Sequence, residues 1–77
     1  MEIEPKMELR VWEGSPLIGK TIAEIDKRFQ VKVFKITRGE QARNPPQTIH
    51  IESGDYISIV GNKKQCLEVL SESASKQ

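Results

Sequence analysis

TIAEIDKRFQVKVFKITR, running from Thr21 to Arg38, changes its periodicity part-way, and that change decides the fold class. In the first half, Ile18, Ile22, Ile25 and Phe29 recur at helical spacing, which places them on one face. Thr21 and Glu24 stand at the spacing of a capping box, in which each side chain accepts from the other's backbone N–H. A helix is therefore predicted over Ile22–Phe29. In the second half, Val31–Arg38 is dense in Val, Ile and Phe, the composition of a strand. Its parity is mixed. Val31 and Val33 point one way, Phe34 and Ile36 the other. Either a bulge near Val33–Phe34 resets the register, or both sheet faces are covered, the second by a partner subunit.

Outward from this stretch the signals are shorter. Upstream, Leu9 and Val11 alternate with Glu8, Arg10 and Trp12 as in a half-buried strand, and Glu13-Gly14-Ser15-Pro16 breaks it. Downstream, Gly39 to Pro46 reads as a long polar loop. Thr48–Ile51 and Tyr56–Val60 read as two more strands, with Ile49, Ile51, Ile57 and Ile59 inward and Ser53-Gly54-Asp55 as the turn between them. Asn62 with Gln65 caps a second helix carrying Cys66, Leu67, Val69 and Leu70. Residues 1–6 form a lead-in, 7–70 the domain and 71–77 a polar tail. The order β-α-β-β-β-α makes a small α+β domain on a mostly antiparallel sheet.

Composition limits the chemistry. A chain of 77 residues builds one small core and has no room for a second domain or a deep cleft. One Cys excludes an internal disulfide, and one His with one Cys excludes a Cys/His zinc cluster, so a reducing compartment is expected. No apolar run approaches the ~20 residues of a membrane span, and the acidic start is unlike a signal peptide. His50 lies between two isoleucines on the outward side of its predicted strand. Cys66 sits among apolar residues as a small buried hydrophobe. Glu52 and Asp55 flank a turn, where Asp55 is placed to accept from turn amides. No glycine-rich phosphate loop occurs. The chain is not expected to be an enzyme, and no catalytic or metal-ligating residue is assigned.

Net charge conceals an asymmetry. Lys+Arg total 12 against 11 Asp+Glu, yet Lys27, Arg28, Lys32, Lys35, Arg38 and Arg43 share the 27–43 segment with one acid, Glu40. Such charges can merely solvate a strand edge and discourage edge-to-edge pairing. They can also make an anion site. Arg38 closes a strand and Arg43-Asn44 follows, offering guanidinium and amide donors to a phosphate and a base edge. A nucleic-acid surface is a competing use of the same segment. It is disfavoured by the scarcity of aromatics, which are Trp12, Phe29, Phe34 and Tyr56.

Three segments in order carry a family resemblance. Leu9–Ile25 (LRVWEGSPLIGKTIAEI), Val31–Gly39 (VKVFKITRG) and Ile51–Gly61 (IESGDYISIVG) resemble the TrkA-C domain, also called RCK-C. The resemblance covers about Met7 to Leu70. It implies a cytoplasmic, non-catalytic regulatory domain, peripheral to a membrane transport complex, that forms a homodimer and senses a ligand for a potassium or other cation transporter or channel subunit. In larger members such domains follow a Rossmann-type nucleotide-binding domain, whose glycine fingerprint this sequence lacks. Some relatives bind cyclic di-AMP at the dimer interface through an Arg ending the second strand and an Asn in the next loop. Arg38 and Asn44 match those positions, with Lys32, Val33 and Arg43 alongside. The ligand implied is cyclic di-AMP or another small anion, and nucleic acid is not expected as a partner. The alternatives are a purely structural dimerisation module and a small nucleic-acid binder using the 27–43 segment.

Overall fold

The computed structural model describes residues 5–74. Its elements are β1 (Lys6–Arg10), α1 (Ile22–Phe29), β2 (Lys32–Arg38), β3 (Gln41–Arg43), β4 (Tyr56–Val60) and α2 (Lys63–Ser73). The four strands form one sheet in the order β1-β4-β2-β3, and every neighbouring pair is antiparallel. Both helices lie on one face. Between them and the sheet sits a single core that includes Leu9, Leu17, Ile25, Ile36, Ile57 and Val69.

Local chemistry sets the helix ends. Thr21 accepts from the Glu24 N–H at 3.2 Å while the Glu24 carboxylate accepts from the Thr21 N–H at 3.0 Å, so the predicted capping box is complete. The carboxyl of Glu24 is held below its ordinary range, chiefly by the Thr21 N–H and then by the Thr21 hydroxyl. α1 stops where Gln30 enters the left-handed region at φ 57° and its side-chain amide donates to the Lys27 carbonyl at 2.7 Å. Asn62 caps α2 by accepting from the Gln65 N–H at 2.8 Å, also as expected.

The mixed parity of β2 is a bulge. Val33 pairs with Ile59 and Lys35 with Ser58, so Phe34 is the extra residue, and Val33 and Ile36 both reach the core. Covering of the second sheet face is not needed to explain the pattern.

Several expectations are corrected. Thr48–Ile51 is not a strand of the sheet. Its backbone instead bonds the segment before α1, with Gly19 N–H donating to Ile51, Ile51 N–H to Lys20, and a lone bridge joining Thr21 to His50. Ile51 still fills the core, so the alternation was a packing signal with no ladder behind it. The third strand lies inside the expected polar loop, where Gly39, at φ 62°, turns the chain so that Gln41 returns opposite Arg38. Ile18 precedes α1 and is exposed, while Leu17 takes the core position. Leu67 and Leu70 are exposed as well, leaving Cys66 and Val69 to face inward. Ser71–Ser73, expected in the tail, are helical. α2 runs through Ser73, whose carbonyl accepts from the Trp12 N–H at 2.9 Å. At the other end Lys6, placed in the lead-in, already belongs to β1. The rest of the expected lead-in and tail, at 1–4 and 75–77, lies outside the described residues.

Candidate ligand-binding site

β2 carries Arg38 to the rim of the sheet, beyond the reach of α1, and β3 folds back beside it. The register pairs Arg38 with Gln41 and Ile36 with Arg43, and paired residues share a face. Arg38, Gln41 and Arg43 therefore line one hollow of about 270 Å³, floored by Ile36 and the half-buried Ile49. Asn44 follows β3 directly and is exposed. Two prolines come next, and neither can donate a backbone N–H to extend the edge.

Arg38 is not a free cation. Its Nε and Nη2 donate to the two oxygens of Asp55, each at 2.8 Å, and Nη2 also donates to the His50 carbonyl at 2.9 Å. Nη1 lies 3.0 Å from the exposed carboxylate of Glu52. Asp55 has only 1% of its surface exposed and also accepts from the Glu52 N–H at 2.8 Å. It thus closes the turn in which Gly54 takes φ 88°. The Arg38 guanidinium is raised above its ordinary pKa, first by the hydrogen bonds to Asp55, with burial opposing, and then by the charges of Asp55 and Glu52. Arg43 differs. It is exposed and makes no ion pair among the described residues.

The five residues singled out from the sequence are not all brought together. Arg38, Arg43 and Asn44 cluster at one end of β2 and β3. Lys32 is at the opposite end of β2, six residues from Arg38 and roughly 20 Å away at ~3.3 Å per residue. Its ammonium lies 3.8 Å from Asp26. Val33 is buried in the core, and its N–H donates to Asp26 at 2.9 Å. Gln41 and Ile49 line the hollow and were not picked out. A reading of Gln41-Ala42-Arg43 as alternating strand would have placed both polar ends on one face. A larger hollow of about 470 Å³ beside α1 rests on Leu17, Ile25 and Phe29. Lys20, Lys27 and Arg28 also line it, together with the Glu24 carboxylate.

The TrkA-C domain family matches residues 6–73, nearly the whole chain. The chain belongs to that family. TrkA-C membership makes it a non-catalytic domain, and no cluster of three metal-ligating side chains occurs among the described residues. None of the described helices is long and apolar enough to cross a membrane. Solved structures share the fold. The RCK C domain of the potassium transport protein KtrA, in complex with cyclic di-AMP, aligns at TM-score 0.75 and 21% identity over 88% of this chain and 81% of that one. The RCK_C domain dimer of S. agalactiae BusR, also with cyclic di-AMP, aligns at TM-score 0.78 and 22% identity over 88% of this chain and 93% of that one. S. agalactiae BusR bound to its busAB-promotor DNA aligns at TM-score 0.77 and 24% identity, over 88% of this chain but 35% of that one. No curated protein matches the chain.

Proposed function

We propose that this TrkA-C domain is a dimerising, ligand-sensing regulatory module that binds cyclic di-AMP or a similar small anion and thereby controls a potassium or other cation transport system. The observation that carries the reading is the hollow at the β2–β3 rim. It combines an apolar floor suited to a base with the exposed Arg43, which makes no ion pair among the described residues, beside Arg38, Gln41 and Asn44. The KtrA and BusR domains, which share the fold, are both complexes with cyclic di-AMP, and the BusR domain is a dimer. The mechanism is a population shift. A ligand bound between two subunits favours one arrangement of the pair, and the attached transport protein responds to that arrangement. Two copies meeting at this rim bring their Arg43 side chains together, so an anion between them relieves repulsion. The proposed contacts are Arg38, Gln41, Arg43 and Asn44. Lys32 and Val33 take no part within one chain.

Isothermal titration with cyclic di-AMP tests the proposal, alongside sedimentation equilibrium with and without ligand. Arg43→Ala removes one charge-assisted contact and is expected to weaken binding at least about tenfold without loss of fold. Ligand is expected to tighten self-association. Absence of binding heat, or equal affinity in wild type and Arg43→Ala, overturns the reading.

A further inference from the structure

The face of the sheet opposite the helices gathers residues that the sequence scatters. β1 turns Lys6, Glu8 and Arg10 outward, β4 turns Tyr56, Ser58 and Val60, and β2 turns Lys32, Lys35 and Thr37. Trp12, just beyond β1, packs against Arg10, whose guanidinium carbon lies 4.1 Å from the ring centre. Tyr56 is the cross-strand neighbour of Arg10, and both aromatic residues are exposed, Trp12 by 49% and Tyr56 by 42%. At the other end of the face the bulge residue Phe34 lies under the Lys6 ammonium at 5.8 Å. Three of the four aromatics of the chain thus meet on one face, and only Phe29 is spent on the core.

The charges complement an anionic partner. Among the described residues, Lys6, Arg10, Lys32 and Lys35 share the face with one acid, Glu8, which sits 3.7 Å from Lys35. The Lys35–Glu8 pair is exposed on both sides and is readily exchanged for phosphate, whereas Lys32 is exposed but its partner Asp26 is only 17% exposed. From Arg10 to Lys6 the platform spans about 13 Å at ~3.3 Å per residue, longer than one base. The open sheet face carries no protruding helix to enter a duplex groove, whereas exposed rings flanked by cations suit unstacked bases on a phosphate strand.

We infer that this open sheet face binds single-stranded nucleic acid, with Trp12, Arg10 and Tyr56 stacking on bases and Lys6, Lys32 and Lys35 meeting the backbone. This surface is separate from the β2–β3 hollow, because Arg43 lies on the helix side of the sheet.

Fluorescence anisotropy of a labelled oligo(dT) ten-mer titrated with the full chain tests the inference. Binding at 50 mM salt is expected to weaken about twentyfold by 200 mM, the fall for ~3 phosphate contacts on a single strand. Trp12→Ala, at an exposed position that leaves the core intact, is expected to weaken binding about tenfold, and Arg10→Ala to weaken it as well. Arg43→Ala is expected to leave it unchanged. Circular dichroism confirms that each variant is folded. No binding at 50 mM salt overturns the inference, as does equal affinity for wild type and Trp12→Ala, or a loss produced by Arg43→Ala in place of Trp12→Ala. Failure of cyclic di-AMP to bind leaves this test intact, since the two sites share no residue.

Discussion

Arg38→Ala is the substitution whose cost the structure defines most sharply. Asp55 is 1% exposed, and its carboxylate has three donors: Arg38 Nε, Arg38 Nη2 and the Glu52 N–H, all at 2.8 Å. Removing Arg38 strips both guanidinium bonds and leaves one backbone amide to hold a buried charge. Breaking a fully buried pair from one side costs about 3–5 kcal/mol. The Arg38 side chain is 38% exposed, so water reaches part of the vacated space, and the lower end of that range, ~3 kcal/mol, is the expected loss. A 77-residue domain has roughly 4–12 kcal/mol of total stability, so this one residue accounts for a large share. The melting midpoint is expected to fall by about 12–24 °C. Urea denaturation followed by circular dichroism gives the energy, with Arg43→Ala as a surface control expected within about 0.5 kcal/mol of wild type. Arg38→Lys keeps the charge but not the two-pronged geometry, and is expected to fall between the two. In a double-mutant cycle, Arg38→Ala and Asp55→Ala together are expected to cost at least about 2 kcal/mol less than their sum, because the double variant buries no orphan charge. A cost under about 1 kcal/mol for Arg38→Ala, or a coupling below about 0.5 kcal/mol, refutes the argument.

The other predictions are structural and independent of any ligand. Glu24 has a lowered carboxyl pKa in the folded state, so its contribution is present above the unfolded value of 4.5 and is lost as pH falls through the folded value. Glu24→Ala is expected to flatten the stability profile in that acidic window, and an unchanged profile by thermal melting counts against the capping box. Gly61→Ala is expected to cost about 1–3 kcal/mol by overpacking, because a Cβ there meets the buried Val31 Cγ1 at 2.9 Å. Coupling Gly61→Ala with Val31→Ala, which clears the contact, is expected to restore part of that loss in urea melts.

What the sequence revealed follows from which forces act locally. Thr21, Glu24 and Asn62 form their caps with residues three positions away, so spacing was enough to find them. The parity change near Phe34 was visible because a one-residue slip reverses every apolar side chain after it, but a bulge and a second covered face would leave the same pattern, and only the register decides for the bulge. β3 was invisible for the opposite reason. Gln41, Ala42 and Arg43 are all exposed, so its pairing leaves no hydrophobic pattern to read. Thr48–Ile51 showed the reverse error, since Ile51 is buried by a loop that bonds to Gly19 and Lys20 without joining the sheet. The hollow was half legible. Arg38, Arg43 and Asn44 came from charge and position. The partner that fixes Arg38 lies seventeen residues away, and no periodicity links Arg38 to Asp55. Only the adjacency of β2 and β4 brings them together, through the pairing of Thr37 with Tyr56.

That adjacency changes what Arg38 can do in the proposed site. Nε and Nη2 are committed to Asp55 and the His50 carbonyl, and a ligand that took them would orphan a buried carboxylate. Nη1 is different, because its partner Glu52 is 64% exposed in its side chain. An exposed ion pair of that kind is worth only ~0–1 kcal/mol, so a phosphate can replace the Glu52 carboxylate at little cost. Arg38 therefore keeps one edge exchangeable, at Nη1, and anchors the other in the Asp55 turn. Arg43, with no ion pair to give up among the described residues, supplies the charge that the ligand gains in full. The Asp55 turn also meets the residue that follows β1, through Val11 N–H donating to the Asp55 carbonyl and Gly54 N–H to the Val11 carbonyl, both at 2.8 Å. A phosphate that displaced Glu52 would pull on Arg38 at the point where the rim, the turn and the far edge of the sheet are bonded in series.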